Sequence, residues 1–209
     1  MTQIFILGAG GHGAVVAEAA VLSQKWGVVS FLDDNADPDI PIVGCSVLGE
    51  LSIWPELASR NCEFFVAIGD NEKRDDVLSS IEKLGGVLAT ITHPSAVISP
   101  SATIESGVVI CAGAVVNPRA SIGRGTIVNT CASIDHDCVL GDATHVSPGA
   151  HLAGGVTIGA RTWIGIGAVV REGVSVGSDC VVGAGAAVVS DVDSGQTVVG
   201  VPASPMRKT

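Results

Sequence analysis

The spacing of apolar residues changes character partway along the chain. Up to about residue 92, short apolar runs alternate with amphipathic stretches. Residues 4–7 read as a strand that runs into a glycine cluster, Gly8, Gly10, Gly11 and Gly13, with His12 inside it. Residues 14–22 read as an Ala-rich helix, 28–32 as a second strand ending at Asp33 and Asp34, and 64–68 as a third strand. Residues 72–84 carry Val77, Leu78, Ile81 and Leu84 on one helical side, and 87–91 form a last strand. Strand, glycine turn, helix, strand is the βαβ order of a small parallel sheet.

From about residue 93 an aliphatic residue recurs every six positions, from position 98 to position 188, among them Ile98, Ile104, Ile110, Val116 and Ile134. Four positions after each stands a small or β-branched residue, such as Ala102, Ala114, Ala132, Cys138 or Thr162. No α-helix has a period of six, whereas hexapeptide repeats mark a parallel β-helix. Each repeat fills one short side of a coil and stacks its aliphatic residue on the coil below. Such a rod needs its end coils covered, and the turn at Gly200, Val201, Pro202 and Ala203 leads the chain off one end. The pattern predicts a Rossmann-like α/β domain over residues 1–92 and a β-helix over residues 93–209.

Composition supports this picture and narrows the function. The 209 residues are 47% hydrophobic but only 3% aromatic, as a narrow interior of stacked Ile, Val, Leu and Ala requires. The formal net charge of -10 argues against nucleic acid or acidic lipid as partner. The six Cys include no CxxC and read as reduced thiols rather than a zinc framework. His136, His145 and His151 lack the eighteen-residue spacing that would stack side chains on successive coils, so no metal is expected. No apolar run reaches the roughly 18 residues of a membrane span, and the N-terminus lacks the pattern of a secretory signal. A soluble cytoplasmic protein is expected.

Two clusters carry candidate chemistry. Gly8, Gly10 and Gly13 permit a tight turn and close approach of backbone to a phosphate, and Asp33 stands where a ribose hydroxyl would be bound. His12 is placed either near the phosphates and sugar or as the cap of the following helix. Mid-rod, Asp135, His136 and Asp137 form the second cluster. A neutral imidazole suits removal of a proton from an attacking amine or hydroxyl, and either flanking Asp is able to orient the ring. Cys138 holds a repeat core position, and Cys131 remains open as a nucleophile.

These motifs resemble the sialic acid O-acetyltransferase and bacterial nucleotide-aminosugar N-acetyltransferase family of left-handed β-helix (hexapeptide-repeat) acyltransferases. The resemblance spans the glycine motif, the rod and the His136–Asp137 pair. It implies a homotrimer with acetyl-CoA as co-substrate in the groove between neighbouring rods, and direct transfer without an acyl-enzyme. It implies that the nucleotide end of the substrate is held by Gly8, Gly10, Gly11, His12, Gly13, Asp33 and Asp34. His136 becomes the general base and Asp137 its partner. His145, nine residues on, would donate to the thioester oxygen, and Asn129 would hold the motif or ligand. Gly155, Gly173 and the 200–203 turn are the expected backbone contacts to CoA, with Arg161, Arg171, Arg207 and Lys208 near its phosphates. The implied activity is N-acetylation of a UDP- or GDP-linked 4-amino sugar for surface glycan synthesis. O-acetylation of a sialic acid or other sugar, and a non-catalytic trimeric scaffold, are the alternatives.

Overall fold

The computed structural model describes residues 2–58 and 61–206. The chain divides into two compact units, Met1–Pro94 and Ser95–Thr209.

The first unit runs β1 (Gln3–Leu7), α1 (Gly11–Ser23), β2 (Val28–Leu32), β3 (Ser46–Val47), α2 (Trp54–Leu57), β4 (Cys62–Val66), α3 (Asn71–Lys83) and β5 (Val87–Leu88). All five strands are parallel, in the order β3-β2-β1-β4-β5. From β1 the chain winds outward through β2 and β3, then returns to the other side at β4. The carboxyl ends of β1 and β4 therefore flank a topological switch point, where open α/β sheets bind ligands. Both outer strands of the sheet have only two residues.

β4 starts and ends two residues earlier than the periodicity suggested, because Ala67 and the residues after it already form the switch-point loop. One side of the sheet packs Phe5, Leu7, Phe64 and Val66 against Leu57 of α2 and Leu78 and Ile81 of α3, with the rings of Phe5 and Phe64 stacked at 5.9 Å. The helical side differs from expectation. Leu84 lies past the end of α3 and is exposed, and the third fully buried residue of that helix is Arg74.

The second unit is a β-helix of 18-residue coils, each laying one two-residue strand on each of three faces. The first face stacks Val97–Ile98, Val115–Val116, Ser133–Ile134, His151–Leu152, Val169–Val170 and Ala187–Val188. The second runs from Thr103–Ile104 to Ser175–Val176. The third includes Ile127–Val128, His145–Val146, Trp163–Ile164 and Val181–Val182. The second residue of each strand is the repeat aliphatic, and from Ile110 to Val188 these residues are buried. Truncating one such residue, Ile134 to Ala, would cost roughly 2–5 kcal/mol. The first residue of each strand points outward, as strand alternation demands. At the corners from Gly107 to Gly185 one residue enters the left-handed region and the next turns inward. Gly takes the left-handed place at many corners, and Arg119, Cys131, Asp137, Ala143, Arg161 and Asp179 take it with φ between 52 and 61°. At its far end the 200–203 turn folds Ser204–Pro205 back antiparallel on Thr197–Val199.

Candidate active site

His136 stands at the corner between the first and second faces, after the strand Ser133–Ile134. The repeat aims Ile134 inward, and the corner then carries Asp135, His136 and Asp137 outward. His136 Nδ1 lies 2.7 Å from Asp137 Oδ2. Arg119, one coil earlier, grips the same carboxylate with a fork, Nε to Oδ1 at 2.6 Å and Nη2 to Oδ2 at 2.8 Å. The Arg119 guanidinium first, and His136 second, hold the Asp137 carboxyl well below the usual carboxylate range. Ionised Asp137 only accepts, so Nδ1 carries the hydrogen and the neutral ring presents the Nε2 lone pair. Asp135 is engaged differently. Its Oδ1 accepts the backbone N–H of His136 at 2.7 Å and the Asn117 amide at 2.9 Å. Asp137 is therefore the carboxylate on the ring, and Asp135 shapes the backbone beneath it.

His145 opens a strand of the third face, so within one chain the two histidines lie on different faces of the coil. Its ring stacks on Trp163, one coil later, with centroids 5.7 Å apart and planes 4° from parallel. The Asn129 amide Nδ2 stands 3.2 Å from His145 Nε2, and Asn129 Oδ1 accepts the Thr130 N–H at 2.8 Å. That orientation makes Nε2 an acceptor and places the neutral ring's hydrogen on Nδ1, which is buried. Asn129 stands beside His145 rather than at the His136 corner. Trp163 Nε1 donates to Ser147 Oγ at 2.6 Å. His145, Ser147, Trp163, Ile166 and Gly183 line an apolar groove of about 390 Å³.

The other residues expected around CoA are dispersed. Gly155 and Gly173 occupy the left-handed corner positions below Asp137, in the same column as Arg119. They lie outside the His145–Trp163 groove, as does the exposed turn at Gly200, Val201 and Pro202, with Ala203 partly buried. Arg161 is tied to Asp179 by a fork of 2.7 and 2.9 Å, while Arg171 is exposed. Arg207 and Lys208 lie outside the described residues. Cys138 is fully buried, its Sγ directed at the Ala153 carbonyl and its thiol raised by burial, so it fills space. Cys131 is exposed at the preceding corner.

In the first unit, the glycine loop and Asp33 form one structure. Asp33 Oδ2 accepts the Ala9 N–H at 2.7 Å, and Oδ1 accepts those of Asn35 and Ala36 at 2.8 and 3.0 Å. Burial acts to raise the Asp33 pKa, but these three donors outweigh it and the net shift is downward. Asp34 Oδ1 accepts the Leu51 N–H at 2.8 Å. Both carboxylates thus brace loops. Gly8 has φ +106°, and a Cβ on Gly13 would overlap the Gly8 carbonyl oxygen, so the tight strand-to-helix turn needs both glycines. Gly10 is the N-cap of α1 without a side-chain bond, Gly11 begins the helix, and His12 does not cap it. His12 is partly buried, and burial first, the Arg74 cation second, push its pKa down to about 4. Arg74 donates to the carbonyls of Ile68 at 2.8 Å and Gly69 at 3.3 Å and to Asn71 Oδ1 at 2.7 Å. Its pKa, lowered by burial to about 10, leaves it charged at the switch point.

Arg119, Trp163 and Arg74 were not anticipated. The first two follow from eighteen-residue spacing once His136–Asp137 and His145 are chosen. Arg74 follows from no pattern in the sequence. Among the described residues, no helix is long and apolar enough to cross a membrane.

Known proteins share both halves of this fold. Residues 3–81 match the PglD N-terminal domain family, and residues 155–189 match the bacterial transferase hexapeptide family (six repeats). The acetyltransferase domain of PglB from Neisseria gonorrhoeae FA1090 is 40% identical, with a TM-score of 0.95, covering 99% of this chain and 100% of that one. PerB from Caulobacter crescentus, solved in complex with CoA and GDP-perosamine, is 39% identical, with a TM-score of 0.92, covering 99% and 98%. WeeI from Acinetobacter baumannii AYE is 27% identical, with a TM-score of 0.86, covering 99% and 100%. The chain belongs to the sialic acid O-acetyltransferase and nucleotide-aminosugar N-acetyltransferase family of left-handed β-helix acyltransferases.

Proposed function

We propose that this protein transfers the acetyl group of acetyl-CoA to the amino group of a nucleotide-linked 4-amino sugar, with His136 as general base. The observation that carries the reading is the His136–Asp137 pair, 2.7 Å apart at an outward corner of the rod, in a chain that aligns over 99% of its length with a relative solved in complex with CoA and GDP-perosamine. The amine attacks the thioester carbon, and the C–S bond breaks as the C–N bond forms. His136 Nε2 takes the proton that the attacking nitrogen loses and returns it to the leaving CoA sulfur. Asp137 holds the ring in the tautomer that leaves Nε2 free and favours the imidazolium while it lasts. No nucleophilic side chain is required.

The apolar groove beside His145 and Trp163 suits the thioester arm of acetyl-CoA, with His145 as its wall. His136 and His145 lie on different faces, so a site using both draws them from two copies of the chain. The exposed side chains of Val139, Trp163, Val169 and Val181 suit such packing, which supports a homotrimer. In the first unit, the loop of Gly8, Gly10, Gly11 and Gly13, braced by Asp33, offers backbone N–H groups to a diphosphate. Arg74 adds positive field beneath the switch point. Surface glycan synthesis in the cytoplasm is the setting that this chemistry suits.

The test is thiol release from acetyl-CoA against UDP- and GDP-linked 4-amino sugars, sialic acid and simple hydroxyl sugars. Turnover with one nucleotide amino sugar supports the proposal. Turnover confined to hydroxyl acceptors replaces it with O-acetylation, and acetyl-CoA that neither binds nor reacts removes the enzyme reading.

A further inference from the structure

Resting on that reading of His136, we propose that Arg119 and Gly154, one coil before and one coil after the dyad, are positioning residues that fix the base from two sides. Both act through the geometry of stacked coils. Arg119 and Asp137 occupy the same left-handed corner position, each with φ of 61°. Their side chains therefore leave the rod in parallel, and the guanidinium fork meets both carboxylate oxygens at 2.6 and 2.8 Å. A bidentate fork fixes the plane of the carboxylate as well as its position. Asp137 Oδ2, the oxygen on Nη2, is also the oxygen 2.7 Å from His136 Nδ1. The Arg119 side chain is 64% exposed, where ion pairs contribute little to stability. Its effect falls on the direction of the carboxylate.

Gly154 closes the other side. A Cβ built there would stand 2.6 Å from both Cε1 and Nε2 of His136 and 3.3 Å from Nδ1. The imidazole therefore lies against bare backbone, and any larger residue displaces it. The Gly154 backbone is not in the left-handed region, so alanine suits the chain itself. The clash falls on the far end of a side chain that is able to swing, so the fold survives while the Nδ1–Asp137 bond does not.

The rod contains its own control. Arg161 and Asp179 repeat the fork at another corner column, at 2.7 and 2.9 Å with the same eighteen-residue spacing. The residue before Asp179 is Ser178, not a histidine. Breaking that pair tests what loosening a corner does without touching the base.

The experiment compares Arg119→Gln, Arg119→Lys, Gly154→Ala and Asp179→Asn with wild type in full-length protein. It measures kcat, both KM values, melting temperature and crystal structures. Arg119→Gln and Gly154→Ala are expected to lower kcat roughly tenfold or more, since small misplacements of a reacting group are costly. Both KM values and the melting temperatures stay near wild type. Arg119→Lys falls between, because an ammonium makes a point contact rather than a fork. Asp179→Asn leaves kcat unchanged, and crystals of Gly154→Ala show the His136–Asp137 bond broken. Wild-type kcat in Arg119→Gln and Gly154→Ala with that bond intact overturns the proposal, as does an equal kcat loss in Asp179→Asn. Wild type that releases no thiol with any acceptor refutes the acetyltransferase reading instead, and the crystal structures then decide the positioning by themselves.

Discussion

His136 and His12, one in each unit, meet opposite surroundings. The His136 side chain is 55% exposed at a corner of the rod, beside a carboxylate clamped by Arg119. His12 sits partly enclosed at the head of α1, its imidazole pushed down to about 4 by burial and then by Arg74. The rod's interior is filled by its repeat aliphatics, so polar chemistry has only the corners and outer faces, and stays wet until a second surface covers it. The α/β unit instead builds its crevice at the strand ends, where a buried cation is affordable because three acceptors surround it. In the proposed mechanism the same side chain is a base in the first setting. In the other, burial and the nearby Arg74 cation hold it neutral.

The largest effect is expected of His136→Ala, which should lower kcat by roughly 10²-fold or more, as loss of a general base does. Steady-state turnover at saturating substrates reads it directly. The opposite character of His12 shows in stability. Its folded pKa lies below the unfolded value, so the unfolded chain takes up the proton first as pH falls. The stability it contributes is complete above about 6.5 and is lost as pH drops toward about 4. From pH 7 to 5 the loss attributable to His12 is about 2 kcal/mol, and His12→Gln should flatten that slope in urea melts across pH. A His12→Gln profile parallel to wild type would contradict the assignment.

Asp33→Ala leaves the N–H groups of Ala9, Asn35 and Ala36 without their acceptor and loosens the glycine loop. The expected result is a sugar-nucleotide KM raised roughly tenfold with kcat little changed. An effect on acetyl-CoA alone would contradict the division of labour. Trp163→Ala, which removes the floor under His145, should do the reverse and raise the acetyl-CoA KM about fivefold, as loss of uniform binding does. Titration of each KM separately distinguishes the two.

The rod was legible in the sequence because its register is arithmetic. A period of six places Ile134 inward and Cys138 at a buried corner without any tertiary information. The same arithmetic, applied at eighteen residues, pairs Arg119 with Asp137 and Trp163 with His145. The choice between Asp135 and Asp137 was not legible, because it depends on which corner residue enters the left-handed region. The separation of His136 from His145 follows from the same arithmetic, since nine residues is half a coil and turns the chain onto another face. In the α/β unit the glycine turn and Asp33 could be read, but the strand order could not. Arg74 looks like a solvated helix residue until β4 and its loop close over it.

The most direct test of His136 as the base is acetyl-CoA thiol release by wild type and His136→Ala on the nucleotide amino sugar panel. Rapid wild-type turnover is expected with one UDP- or GDP-linked 4-amino sugar, and a His136→Ala rate lower by roughly 10²-fold. A His136→Ala enzyme that turns over as fast as wild type on that acceptor would contradict it.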